Sequence, residues 1–113
     1  MGKIAQYEKA ILELLKEYDY PPSSTDKVTT HLIVDSKKHH YQVLTEGWVE
    51  DDDFMLNISL YLHIRENGKI WILENRTEDD IAQLLANKGV SKSDIVLGLL
   101  PPQVRSYSGY ATA

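Results

Sequence analysis

The chain has 113 residues, 42% hydrophobic and 26% charged, with seventeen acidic residues against twelve basic ones and no cysteine. That length fits a single domain over residues 1–113, the missing thiols exclude disulfides, cysteine nucleophiles and thiolate metal sites, and a formal charge of −5 argues against a stand-alone nucleic-acid binder. No apolar run approaches the ~20 residues of a membrane helix, and the start Met1-Gly2-Lys3-Ile4-Ala5-Gln6 lacks the apolar core of a signal peptide, so a soluble, cytoplasmic domain without a membrane partner is expected.

Ile4, Tyr7, Ile11, Leu14, Leu15 and Tyr18 recur at the three-and-four spacing of an amphipathic helix. Pro21 and Pro22 end it, because proline lacks the amide donor and restricts the residue before it. The run from Pro21 to Asp26 reads as a connector. Val28, Thr30, Leu32 and Val34 then alternate with Thr29, His31, Ile33 and Asp35, which is the period of a strand. A turn centred on Lys37 and Lys38 would pair Val34 with Tyr41 and Leu32 with Val43, joining this strand to a second from Tyr41 to Trp48.

From Phe54 to Arg65 the alternation is clearest: Phe54, Leu56, Ile58, Leu60, Leu62 and Ile64 take every second place. This predicts one wholly apolar face beneath the helices. Asn67-Gly68 is the preferred two-residue hairpin turn, since both residues tolerate positive φ. It would pair Ile64 with Trp71 and Leu62 with Leu73, putting Trp71, and by its strand pattern Trp48, in the core. Met55, Tyr61, His63, Ile70 and Ile72 would then share the mixed opposite face. That face is too apolar for open solvent, and its five residues are the candidate surface for a homodimer. Thr77 and Asp80 have the spacing of a capping box for a second helix, with Ile81, Leu84 and Leu85 on its buried side and Gly89-Val90 at its end. Ile95-Val96-Leu97 reads as a short extended piece. The expected fold is therefore α+β: an antiparallel meander of about four strands with an N-terminal helix and a second helix from Thr77 packed on one face.

The residues of the carboxyl half carry a resemblance. Gly68-Lys69-Ile70-Trp71-Ile72, Glu74-Asn75-Arg76-Thr77-Glu78, Lys88-Gly89-Val90, Asp94-Ile95-Val96-Leu97-Gly98 and Pro101-Pro102, closing at Arg105 and Tyr107, resemble the XisI family, the fdxN element excision controlling factor of nitrogen-fixing cyanobacteria. His40-Tyr41-Gln42 and Gly47-Trp48 extend the resemblance into the amino half. Leu100 departs from it, as many members carry histidine before the double proline. The resemblance implies a small α+β protein that acts with a partner called XisH in excising a DNA element by site-specific recombination during heterocyst development. It brings no catalytic residue, and it adds Arg105 and Tyr107 to the candidate partner-binding positions.

No catalytic signature competes with that reading. His39 and His40 are adjacent, so on a regular strand they point to opposite faces and are poorly placed to share a metal ion. Glu50-Asp51-Asp52-Asp53 lacks the glycine and spaced ligands of a calcium loop. A glycine-flanked serine and a phosphate-binding glycine loop are both missing. No enzyme activity, metal or cofactor is expected. Three functions stay open: an accessory protein acting through an XisH-like partner, a recombination factor that contacts DNA directly, or an antitoxin-like regulator of a nuclease-like partner. Charge should also be segregated along the sheet. Lys37, Lys38, Arg65 and Lys69 gather at one end; Glu46, Glu50, Asp51, Asp52, Asp53, Glu74, Glu78, Asp79 and Asp80 gather at the other. The acidic turn Glu50, Asp51, Asp52 and Asp53 is the candidate docking site for a basic protein surface.

Overall fold

The computed structural model describes residues 2–19 and 28–113. The proline stop and the connector expected from Pro21 to Asp26 lie outside the described residues. Helix α1 spans Lys3–Lys16 and buries Tyr7, Ala10, Ile11, Leu14 and Leu15, the stripe that its spacing predicts. A five-stranded sheet follows, in the order β1-β2-β3-β4-β5. Its strands are β1 (Val28–Asp35), β2 (His40–Glu50), β3 (Asp53–Ile64), β4 (Ile70–Asn75) and β5 (Ile95–Leu97). Between β4 and β5 runs α2 (Ile81–Asn87), and a short helix α3 (Pro102–Arg105) follows β5. One apolar cluster joins α1 and α2 to Tyr41, Val43, Leu60, Leu62, Ile64, Ile70, Ile72 and Ile95, so both helices roof one face of the sheet.

The first hairpin has the expected register, with Val34 opposite Tyr41 and Leu32 opposite Val43. Its turn is organised by Asp35, whose carboxylate accepts the backbone amides of Lys37 and Lys38, both at 3.0 Å. His39 closes the turn at φ 62°, a left-handed conformation uncommon for a residue with a side chain.

The β3–β4 hairpin differs from the sequence expectation by one residue. Ile64 faces Ile70 and Leu62 faces Ile72. A two-residue turn of the expected type needs positive φ at both Asn67 and Gly68, and only Gly68 has it, at 81°. The Arg65 amide instead donates to the Lys69 carbonyl, and the Gly68 amide to the Arg65 carbonyl, which closes a longer loop. A slip of one residue turns every side chain of a strand over. Ile70 and Ile72 therefore enter the core, 0% and 2% exposed. Trp71 goes to the outer face, where the Arg65 guanidinium lies 3.7 Å from its ring centre.

A second irregularity sits in β3. Val43 pairs with Leu60 and Leu44 with Ile58, which leaves Ser59 as an extra residue in β3. Paired residues share a face, and Val43 and Leu44 point oppositely along β2. The bulge thus puts Leu60 on the helix side and Ile58, with Leu56 and Phe54 beyond it, on the outer side. The uninterrupted apolar face expected from Phe54 to Ile64 is two half-faces. Leu60, Leu62 and Ile64 are core; Phe54, Leu56 and Ile58 are exposed. Trp48, which follows Leu44 on the outer side of β2, is 54% exposed and is not core either.

Helix α2 starts at Ile81, later than the Thr77 start, because Asp80 itself is the cap and accepts the Gln83 amide. Thr77 is held in a preceding turn, its amide and hydroxyl both donating to the Asn75 side-chain oxygen. Threonine and asparagine make such local bonds in competition with a helix. The helix ends as its glycine predicts. Gly89 has φ 99°, and the Val90 amide reaches back to the Leu85 carbonyl at 3.1 Å. β5 adds a parallel fifth strand to the meander, pairing Ile70 with Ile95 and Ile72 with Leu97. Parallel neighbours need a crossover, and α2 supplies it.

Candidate interaction surfaces

Four acids project from the end of the β2–β3 ribbon. Glu50, Asp51, Asp52 and Asp53 are all exposed around its turn. Beside them on the outer face, Trp48 and Phe54 meet edge to face with ring centres 5.2 Å apart. Leu56, 60% exposed, and Ile58 continue this surface toward Leu44. β4 stops at Asn75, opposite Leu60, so beyond that point β3 has a partner on its β2 side only. Aromatic and aliphatic side chains with a rim of like charge are the make-up of a protein-docking surface.

The acids expected at this end of the sheet are not equivalent. Asp79 accepts a hydrogen bond from the Tyr18 hydroxyl, Asp80 caps α2, and Glu74 lies 3.8 Å from the Arg76 guanidinium. The turn acids at the ribbon tip have no such partners among the described residues, so their charge is available to a second molecule.

The five residues expected to form a self-association face are split by the two register changes. Ile70 and Ile72 are in the core. Met55 pairs with Gly47 and lies on the helix side of the ribbon, opposite in sense to Phe54 and Leu56. Only Tyr61 and His63 remain on the outer face. There the Tyr61 hydroxyl is 2.7 Å from His40 Nδ1, and the His40 and His63 rings stack at 4.2 Å, 7° from coplanar. Burial, with the neighbouring positive charge of His40 and Arg65, holds the His63 imidazole below its usual pKa.

Arg105 and Tyr107 have different fates. The Arg105 guanidinium donates to the carbonyls of Leu100 and Gly98 at 3.1 and 3.3 Å and lies 5.0 Å from the Trp71 ring centre. It ties the carboxyl-terminal segment to β4. Tyr107 is 87% exposed and open to contact. Sequence reasoning missed α3 and this tie. Pro101-Pro102 signalled a break, and a proline that breaks one element is equally suited to the first turn of the next helix.

Three tyrosines are bonded to carboxylates: Tyr7 to Asp94 at 2.6 Å, Tyr18 to Asp79, and Tyr41 to Glu8. Burial and then the adjacent carboxylate raise each phenol, that of Tyr18 to about 12. A phenol so held stays protonated at neutral pH and is a poor base or nucleophile. These pairs pin α1 to the first hairpin and to the segments that flank α2.

The family model described as XisI protein matches residues 1–112. No curated protein matches the chain. Two crystal structures from Anabaena variabilis ATCC 29413 are similar over the full length. A XisI-like protein has 33% identity and a TM-score of 0.88, with 97% of this chain and 99% of that chain covered. The fdxN element excision controlling factor XisI has 35% identity and a TM-score of 0.85, with 99% of this chain and 100% of that chain covered.

Proposed function

The chain belongs to the XisI family, and from that premise we propose that it is a non-catalytic controlling factor for excision of a DNA element, acting by docking the tip of its β2–β3 ribbon on an XisH-like partner protein. One of its structural relatives is named an excision controlling factor, which supports the broad role. The observation that carries the docking is the exposed apolar outer face of the ribbon, Trp48, Phe54, Leu56 and Ile58, bordered by Glu50, Asp51, Asp52 and Asp53. Apolar area supplies affinity, and the acidic turn selects a basic protein surface and speeds encounter. The same acids repel nucleic-acid phosphates, so this surface favours a protein partner over DNA.

The test is co-expression with the XisH-like partner and measurement of association by surface plasmon resonance. Replacing Asp51, Asp52 and Asp53 together by Asn should slow association and flatten its salt dependence. Trp48→Ala should speed dissociation. If the triple variant associates unchanged while Lys37→Ala with Lys38→Ala abolishes binding, the docking end is the other one. Light scattering on the isolated chain reports the competing occupant: a dimer that Leu56→Asp dissolves would mean that a second copy of the chain takes this face.

A further inference from the structure

We propose that the opposite end of the sheet carries a binding site for a phosphate group. The turn between β1 and β2 and the loop between β3 and β4 lie side by side there and wall an open cleft of about 910 Å³. Ile4 and Ile64 give it an apolar floor; around it stand Lys37, Lys38, His39, His40, His63 and Arg65, against the single acid Glu66.

The cations are unspent. Asp35, the nearest other acid in sequence, is committed to the backbone amides of Lys37 and Lys38. Glu8 accepts the Tyr41 hydroxyl, with His39 Nδ1 3.8 Å away. Among the described residues, Lys37, Lys38 and Arg65 form no ion pair. Arg65 is also preorganised. Its guanidinium carbon lies 3.7 Å from the Trp71 ring centre, a cation–π contact that holds the group over the ring without using an acidic partner. A planar fork of that kind suits two oxygens of one phosphate, with the lysines adding charge from the facing turn.

Two further features fit an anion held between these loops. His39, at φ 62°, stands in the cleft wall with its Nδ1 3.1 Å from the Tyr41 hydroxyl. The His40–His63 stack places two imidazoles 4.2 Å apart beside Arg65. Burial first, and then the positive charge gathered there, disfavours protonation of His63, and a bound anion would offset the charge part of that effect. The source of the phosphate is a free nucleotide or a nucleic-acid backbone; the chemistry recognised is the same. This site is independent of the protein-docking tip, being built from other residues at the far end of the sheet.

The test follows the histidine ring signals of the full chain by NMR during titration with inorganic phosphate, with sodium chloride at matched ionic strength as the control. The expected result is saturable shifts at His63 and His40, a rise in the His63 titration midpoint, and affinity about tenfold weaker in Arg65→Gln or in the Lys37→Ala, Lys38→Ala double variant. Lys9→Ala and Lys16→Ala on α1 should bind as the parent does. Adenosine monophosphate and a short DNA duplex distinguish the sources: tighter binding of either, lost in the same variants, names the physiological one. Shifts that chloride reproduces, phosphate shifts that fail to saturate, or phosphate and duplex binding indifferent to all three cleft substitutions would overturn the proposal. Folding of each variant is checked by its unshifted Tyr41 and Leu60 signals, residues of the core.

Discussion

Leu60 and Leu56 lie on the same strand, two alternations apart, and have opposite surroundings. Leu60 is wholly buried under the helices, while Leu56 is 60% exposed on the far side of the ribbon. Both obey the same apolar period. The difference is made by Ser59, an extra residue against β2 that reverses which face the period addresses, and by the end of β4 opposite Leu60. Hydrophobic alternation therefore specifies that a face is apolar, and the partner strand specifies what that face is for. In the covered half it makes a core; in the ribbon it leaves an exposed apolar surface.

The comparison breaks most visibly by truncating each leucine. Leu60→Ala should lower stability by about 2–5 kcal/mol in urea denaturation, because the rigid surroundings leave a cavity. Leu56→Ala should stay within about 0.5 kcal/mol of the parent while weakening association with the partner protein. Equal denaturation midpoints for the two variants would mean that the bulge does not divide the strand.

Over β4 the outer face is packed as well, and Gly98 shows how tightly. A Cβ at that position would stand 2.7 Å from the Trp71 ring and 2.9 Å from Leu73 Cδ2, with the Ile72 carbonyl behind. Gly98→Ala should cost about 1–3 kcal/mol by overpacking. It should also weaken the Trp71–Arg105 contact, which tryptophan fluorescence reports. No such closure exists over Trp48 and Phe54.

The smallest expected effect is in pH dependence, and it too belongs to the covered half. His63 has a folded pKa below its ordinary 6.5. The unfolded chain then binds more protons than the folded one between that lowered value and 6.5. The contribution of neutral His63 is present above 6.5 and is lost as pH falls through this window. His63→Gln should flatten the slope of stability against pH there, and thermal melts across the window measure it.

Much of this architecture was legible in the residues themselves. The α1 stripe, the Val34–Tyr41 register, the glycine that ends α2 and the gathering of Lys37, Lys38 and Arg65 at one end all rest on local spacing or on turn chemistry. The exposed acids of the β2–β3 turn could be placed for the same reason. The membership of the candidate dimer face could not, because Ile70 and Ile72 depended on the β3–β4 register and Met55 on the bulge in β3.

The sequence by itself determined α1, α2 and the antiparallel strands, their order and the ends at which charge collects, because periodicity, capping and turn preference act over a few neighbouring residues. Only the tertiary structure decided which face each strand presents. Asn67-Gly68 was compatible with two loop lengths, and burial of Ile70 and Ile72 selects the longer one. Ser59 gave no local sign of a bulge, which arises where β3 must pair with β2 and β4 at once. The place of Ile95–Leu97 as a parallel strand likewise depends on how α2 crosses the sheet. Register is a property of two strands together, and side-chain burial summed over the whole core is what chooses it.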